Sequence, residues 1–148
     1  LGIIASQKIK NARETVKALI GARDEDELVF TSGGSESNNH ALYIASLIGK
    51  KRIIVSGIEH SSVFNTALDL EKRGFEIKTV GVDKNGIIAL DELRSLINGE
   101  TALVSVMAVN NEIGTVQPIK EIGEICKENG VIFHTDAQFM KSLFYYII

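Results

Sequence analysis

The stretch "TSGGSESNN", Thr31 to Asn39, places two glycines and a serine where an apolar run gives way to helical patterning. A helix N-terminus offers free backbone N–H groups and the positive end of the peptide dipole, and glycines let an anion approach the main chain closely. Gly33-Gly34-Ser35 therefore reads either as a strand-to-helix turn capped by Ser35 or as a cradle for phosphate. It has neither the Gly-Lys-Ser/Thr of a P-loop nor a GxGxxG fingerprint. His60 follows "VSGIE" and is either a surface or capping residue or a flat ring able to stack on an aromatic group and to move protons near neutral pH. "NNEIG", 110 to 114, puts two amides and a carboxylate directly after an apolar strand, as a plain polar loop or as donors to a ring hydroxyl. Asp136 closes "VIFHTD" with apolar residues before it. Unless it caps a helix, such a poorly solvated carboxylate wants a cationic partner, and a protonated heteroaromatic nitrogen is one.

A phosphate cradle, a stacking ring, an amide at ring level and a carboxylate for a ring nitrogen together describe what pyridoxal 5′-phosphate needs. The carboxylate keeps the pyridine nitrogen protonated, and the ring then acts as an electron sink for a carbanion at a substrate's α-carbon.

Those residues have to be positioned by a scaffold, and the patterning supplies one. Helical segments alternate with short β-branched runs, the signature of βαβ units and a mainly parallel sheet in a three-layer α/β fold. Helices are expected over 3–20, with Ile9, Ala12, Val16, Leu19 and Ile20 on one face, and over 36–48, 61–73, 89–97 and 118–128. Strands are expected at "LVFT" (28–31), "RIIVSG" (52–57), "FEIKTVGV" (75–82), "TALVSVMAV" (101–109) and "VIFHTDA" (131–137). Ligands of parallel sheets sit beyond the carboxyl ends of the strands, and that rule selects Gly33 to Ser35, Glu59 and His60, Asn110 to Gly114, and Asp136.

The 148 residues, 45% of them apolar, suffice for one domain with a real core. A net charge of −3 with the basic residues spread evenly argues against nucleic acid as partner. No apolar stretch reaches the roughly 20 residues of a membrane span, and no signal pattern opens the chain. A single cysteine, Cys126, and no Asn-x-Ser/Thr acceptor agree with a reducing compartment, the cytoplasm. Cys126 falls at helical spacing with Ile119 and Ile122, as a small core residue should. His40 reads as helix surface and His134 as strand packing. Leu1 falls inside helical patterning and "LFYYII" ends the chain, so neither end reads as a domain boundary.

"FTSGGSESNN", "EH", "SVMAVNNEIGTVQPI" and "HTDA", in this order and at these intervals, resemble the cysteine desulfurases of the class V aminotransferase group. The resemblance runs from the "KNARETVKALIGA" helix to about Ala137. It implies a fold-type I pyridoxal phosphate enzyme, normally a homodimer, that takes sulfur from L-cysteine to leave alanine and a protein-bound persulfide for an acceptor protein. By the same resemblance Gly34 and Ser35 hold the cofactor phosphate, Ser35 standing where the family usually has Thr. His60 stacks on the ring and serves proton transfer, Asn111 bonds the ring hydroxyl and Asp136 pairs with the ring nitrogen.

Departures from the pattern begin after Asp136. The family has Asp-Ala-x-Gln, its Gln contacting the cofactor, whereas Asp136-Ala137-Gln138 is one residue shorter, so Gln138 matches only with a shift of one. The family's cofactor-anchoring lysine and persulfide-forming cysteine are expected beyond this chain's end, and nothing around Lys141 looks like the lysine's surroundings. What remains resembles the central part of the cofactor-binding large domain, expected to be inactive alone. Two other readings stand beside it: a non-catalytic interaction module using the apolar "SLFYYII" run, and a fragment of a selenocysteine lyase-like relative.

Overall fold

A computed structural model of the chain describes residues 2–138, which fall into two units divided between Phe30 and Thr31. Lys141 and the "SLFYYII" run lie outside the described residues. In the first unit α1 runs Gly2–Leu19. Gly21, at φ +67°, takes the left-handed conformation that ends it, and the Ala22 N–H bonds back to the Lys17 carbonyl at 3.0 Å. The following segment is tied to the helix where Arg13 Nε donates to the Leu28 carbonyl at 2.8 Å. The apolar face expected on α1 forms, yet no residue of the helix is buried.

In the second unit the elements are α2 (Gly34–Ala45), β1 (Arg52–Ser56), α3 (Ser61–Lys72), β2 (Glu76–Val80), α4 (Leu90–Leu96), β3 (Thr101–Ser105), α5 (Ile119–Glu128) and β4 (Ile132–His134). The four strands form one parallel sheet in the order β2-β1-β3-β4. Side chains alternate across it, as a strand's twofold period requires. Ile53, Val55 and Leu103 join Leu42 and Ala45 of α2 and Val63, Ala67 and Leu70 of α3 in one core. Ile54, Val104 and Val106 face the other way, with Leu93 of α4 and Ile122, Ile125 and Cys126 of α5. Both central strands are thus covered on both faces, which is why "IIVS" and "TALVS" read as continuous buried runs. Each fully buried Leu, Ile or Val contributes about 1.5–3 kcal/mol.

This is the three-layer α/β architecture expected, with one strand fewer. "LVFT" is not a strand: 28–31 has no regular structure, and among the described residues the sheet is built from β1 to β4 alone. β-propensity alone does not satisfy a backbone. α2 begins at Gly34, two residues before the expected start, which brings both Gly34 and Ser35 into its first turn.

The sheet reverses its winding between β1 and β3, since the chain passes outward to β2 and then returns to build β3 and β4 on the opposite side. α3 covers one face and α4 and α5 the other, as right-handed crossovers in opposite directions demand. A crevice opens beyond the carboxyl ends of strands at such a switch point.

Candidate functional site

The switch point holds a cavity of about 390 Å³ lined by Gly57 to Ser61, after β1, and Asn110 to Ile113, after β3. His60 and Asn111 belong to its wall. The loops are pinned to each other from below: Asn110 Nδ2 donates to the Ile58 carbonyl at 2.9 Å, and Asn110 Oδ1 accepts the Glu112 and Ile113 N–H groups at 2.9 and 3.0 Å. Of the two adjacent amides, Asn110 is therefore buried and used by the fold, while Asn111 is exposed and free to meet a ligand.

His60 is the N-cap of α3. Its Nδ1 accepts the Ser62 backbone N–H at 3.2 Å and sits 2.8 Å from Ser62 Oγ. A backbone N–H can only donate, so the neutral ring carries its proton on Nε2. Ser62 Oγ in turn accepts from Asn38 Nδ2 at 2.9 Å, and the same nitrogen donates to Asp136 Oδ2 at 2.8 Å. The chain Asp136–Asn38–Ser62–His60 thus joins the end of β4, the second turn of α2 and the first turn of α3. The other carboxylate oxygen of Asp136 accepts the Gln138 N–H at 3.0 Å.

The first turn of α2 is open. Gly33 at its N-cap supplies no side-chain bond, and the cap expected from Ser35 does not form. Glu36 instead reaches back to the Ser32 N–H at 2.5 Å, and Thr31 Oγ1 meets Ser37 Oγ at 2.7 Å. Neither bond uses the Gly34 or Ser35 N–H groups. A Cβ on Gly34 would lie 2.5 Å from Gln138 Oε1, so this amide oxygen already rests against the glycine at the positive end of α2. Ser35 and His60 also share the wall of a second hollow, about 340 Å³, between α2 and α3.

Gly34, Ser35, His60, Asn111, Asp136 and Gln138 all gather at one edge of the sheet. Sequence reasoning gave no part to Asn38 and Ser62, the residues that connect them. Asn38 lies four positions after Gly34, on the same helix face, which is the only signal in the sequence. Glu59, noted only as a strand-end residue, is 7% exposed and accepts bonds at Oε1 from Ser56 Oγ at 2.8 Å and the Met107 N–H at 2.6 Å. Burial pushes its carboxyl up to about 7, with a small further push from the Asp136 charge.

The donor set suits pyridoxal phosphate: an uncapped helix start beginning in glycine, a fixed imidazole, an exposed amide and an oriented carboxylate. Cys126 is 1% exposed, and burial pushes its thiol up to about 11, as a core cysteine's should be. His134 packs against Ser105 Oγ at 2.9 Å, and burial lowers its pKa. His40 is exposed on α2. Among the described residues no group of His, Cys, Asp and Glu is placed to hold a metal, and no helix is long and apolar enough to cross a membrane.

A doubly wound parallel sheet with polar groups collected at its switch point is the arrangement in which α/β domains bind their ligands. Residues 1–142 match the aminotransferase class-V family, and the chain belongs to it. It is 48% identical over 140 residues to the cysteine desulfurase IscS of Methanosarcina thermophila, a match covering 93% of this chain and 34% of that protein. Among solved structures it superposes on a NifS-like protein with a TM-score of 0.86 at 38% identity, over 92% of this chain and 38% of that one. It also superposes on SspA in complex with cysteine, TM-score 0.84 at 41% identity, over 92% and 40% of the two chains. The chain spans about a third of the length of the curated relatives it matches. The family read from "TSGGSESNN" and "NNEIGTVQPI", and the α/β fold that came with it, are borne out.

Proposed function

We propose that this chain is the central part of the large domain of a pyridoxal phosphate-dependent cysteine desulfurase, with the cofactor site built on Gly34, Ser35, His60, Asn111 and Asp136. The relay from Asp136 through Asn38 and Ser62 to His60 carries the reading, because it fixes a carboxylate and an imidazole relative to each other at a strand switch point. Bound there, pyridoxal phosphate supplies an electron sink for charge developing at the substrate's α-carbon. The Gly34 and Ser35 N–H groups, with the Ser35 hydroxyl, take the phosphate. Asn38 turns the Asp136 carboxylate so that it accepts from a protonated ring nitrogen. Asn111 donates to the ring oxygen. His60, its Nδ1 engaged by Ser62, covers the ring and holds or releases a proton at Nε2.

L-cysteine is the substrate this reading assigns to the whole enzyme, with alanine and a persulfide handed to an acceptor protein as products. A homodimer in the cytoplasm belongs to the same proposal. Gln138 serves as the ring-contacting glutamine only with its one-residue shift. A second reading, a non-catalytic interaction module, is favoured by the exposed apolar side chains of α1, Ile3 at 87% and Leu19 at 70%.

The test is calorimetric titration of the chain with pyridoxamine 5′-phosphate, which keeps the ring and phosphate but cannot react with surface lysines as the aldehyde does. Saturable binding, weakened at least about tenfold by Ser35→Ala and by Asp136→Asn as loss of a charge-assisted bond requires, is the expected result. Binding unaffected by both substitutions would overturn the site.

A further inference from the structure

Glu59 carries an oddity that the cofactor reading does not use. Its Oε1 is doubly bonded, by Ser56 Oγ at 2.8 Å and the Met107 N–H at 2.6 Å. Its Oε2 is buried and has no partner among the described residues. The residue as a whole is 7% exposed. A carboxylate held this way would leave half its charge on an oxygen facing neither water nor a donor, an expensive arrangement. A protonated acid lowers that cost: Oε1 remains the double acceptor, and Oε2 carries the hydrogen as a neutral group, far cheaper to bury without a partner than a charge.

The position of this acid gives the proton a consequence. Glu59 lies directly before His60, and through Met107 it bonds the start of the loop that carries Asn111. Together with the bond from Asn110 Nδ2 to the Ile58 carbonyl, this makes a two-point clamp across the 390 Å³ cavity. The charge that acts on it is that of Asp136, which opposes ionisation of Glu59; His60, whose Nδ1 is already taken by Ser62, and Glu112 are the other ionisable groups of the cavity wall.

We propose that Glu59 is a positioning residue that works in its protonated form, Oε1 clamping the His60 loop to the Asn111 loop while Oε2 carries the proton. What the clamp positions rests on the cofactor reading above. The protonation itself does not. The raised carboxyl of Glu59 agrees with it, at about 7 against an ordinary 4.5.

The linkage has a definite sign. An acid whose folded pKa is raised favours the folded chain fully below its unfolded value, and that contribution is lost as pH rises through the folded value. Stability relative to a Glu59→Gln chain, which keeps an acceptor at Oε1 and cannot ionise, therefore declines between about 4.5 and about 7 and is flat above.

The experiment is a carbon-13 titration of the side-chain carboxyls of the 148-residue chain, with Glu59→Gln to assign the resonance, beside pyridoxamine 5′-phosphate binding by the wild-type, Glu59→Gln and Glu59→Ala chains. A Glu59 midpoint near 7, Glu59→Gln binding within about threefold of wild type, and Glu59→Ala at least about tenfold weaker, as loss of a buried acceptor implies, are expected. A midpoint near 4.5 overturns the proposal whatever the chain binds, and so does a Glu59→Gln chain as defective as Glu59→Ala. A midpoint near 7 with no binding by any chain sinks the cofactor reading and upholds the protonated clamp.

Discussion

Asn38 Nδ2 donates to Asp136 Oδ2 at 2.8 Å across 98 positions of the sequence, and the same nitrogen lies 2.9 Å from Ser62 Oγ. One amide, only 3% exposed, therefore holds together α2, α3 and the residue that follows β4. Asn38→Ala leaves a carboxylate oxygen and a hydroxyl short of a donor, and we expect a loss of about 1–3 kcal/mol in urea unfolding. Asn38→Asp is worse at about pH 7 than at about pH 4, because two adjacent carboxyls share a proton only in acid. Urea midpoints that match wild type for both variants would show that the relay is ornamental.

Gly34 separates stability from ligand binding. Its φ is not positive, so alanine fits the backbone there, and the atom its Cβ would meet, at 2.5 Å, is the flexible end of Gln138. Gly34→Ala should unfold at the same or higher urea, by about 0.4–1 kcal/mol, through the loss of unfolded-state freedom. Its affinity for pyridoxamine 5′-phosphate should fall, because the methyl group occupies the approach to the helix start. A variant that is as stable and binds as tightly as wild type would move the phosphate site away from α2.

Much of this arrangement could be read in the sequence where one helix or strand carries its own pattern. Val63, Ala67 and Leu70 mark the buried face of α3, and Gly74, at φ +89°, closes it. "LVFT" has the composition of a strand, but a strand exists only where a neighbour accepts its hydrogen bonds, and composition does not reveal neighbours. The two amides of "NNEIG" are indistinguishable in sequence; the structure turns Asn110 inward and leaves Asn111 exposed. Asn38 was illegible for the same reason as "LVFT". Its partner Asp136 lies far along the chain, and only the strand order brings the two together.

The edge of the sheet carries a pH-sensitive pair. Arg52 and Glu76 are register partners on β1 and β2, with Arg52 Nε donating to Glu76 Oε2 at 2.8 Å, while Lys78 Nζ reaches the other oxygen at 2.9 Å. The Arg52 bond, then Lys78, holds the Glu76 carboxyl down to about 2. A lowered acid stabilises the fold above its unfolded value and loses that effect as pH falls toward the folded one. Urea midpoints should therefore drop between pH 4.5 and about 3 in wild type, and drop less in Glu76→Gln. Parallel curves for the two chains would mean that the pair contributes nothing, as many exposed pairs do.

The chain by itself should be chemically silent toward L-cysteine. Sulfur removal needs an accessible low-pKa thiol to accept it, and Cys126, the single cysteine of the sequence, lies in the core between α5 and the sheet with its thiol pushed up to about 11. Native chain at pH 8 should accordingly react slowly with Ellman's reagent, and urea-unfolded chain at once. Incubated with pyridoxal phosphate and L-cysteine, the chain should yield no alanine or sulfide above the rate of free cofactor. Turnover above that background which disappears in Ser35→Ala and Asp136→Asn would show that the residues described here form a working centre. Turnover that survives both substitutions would place the activity elsewhere in the chain.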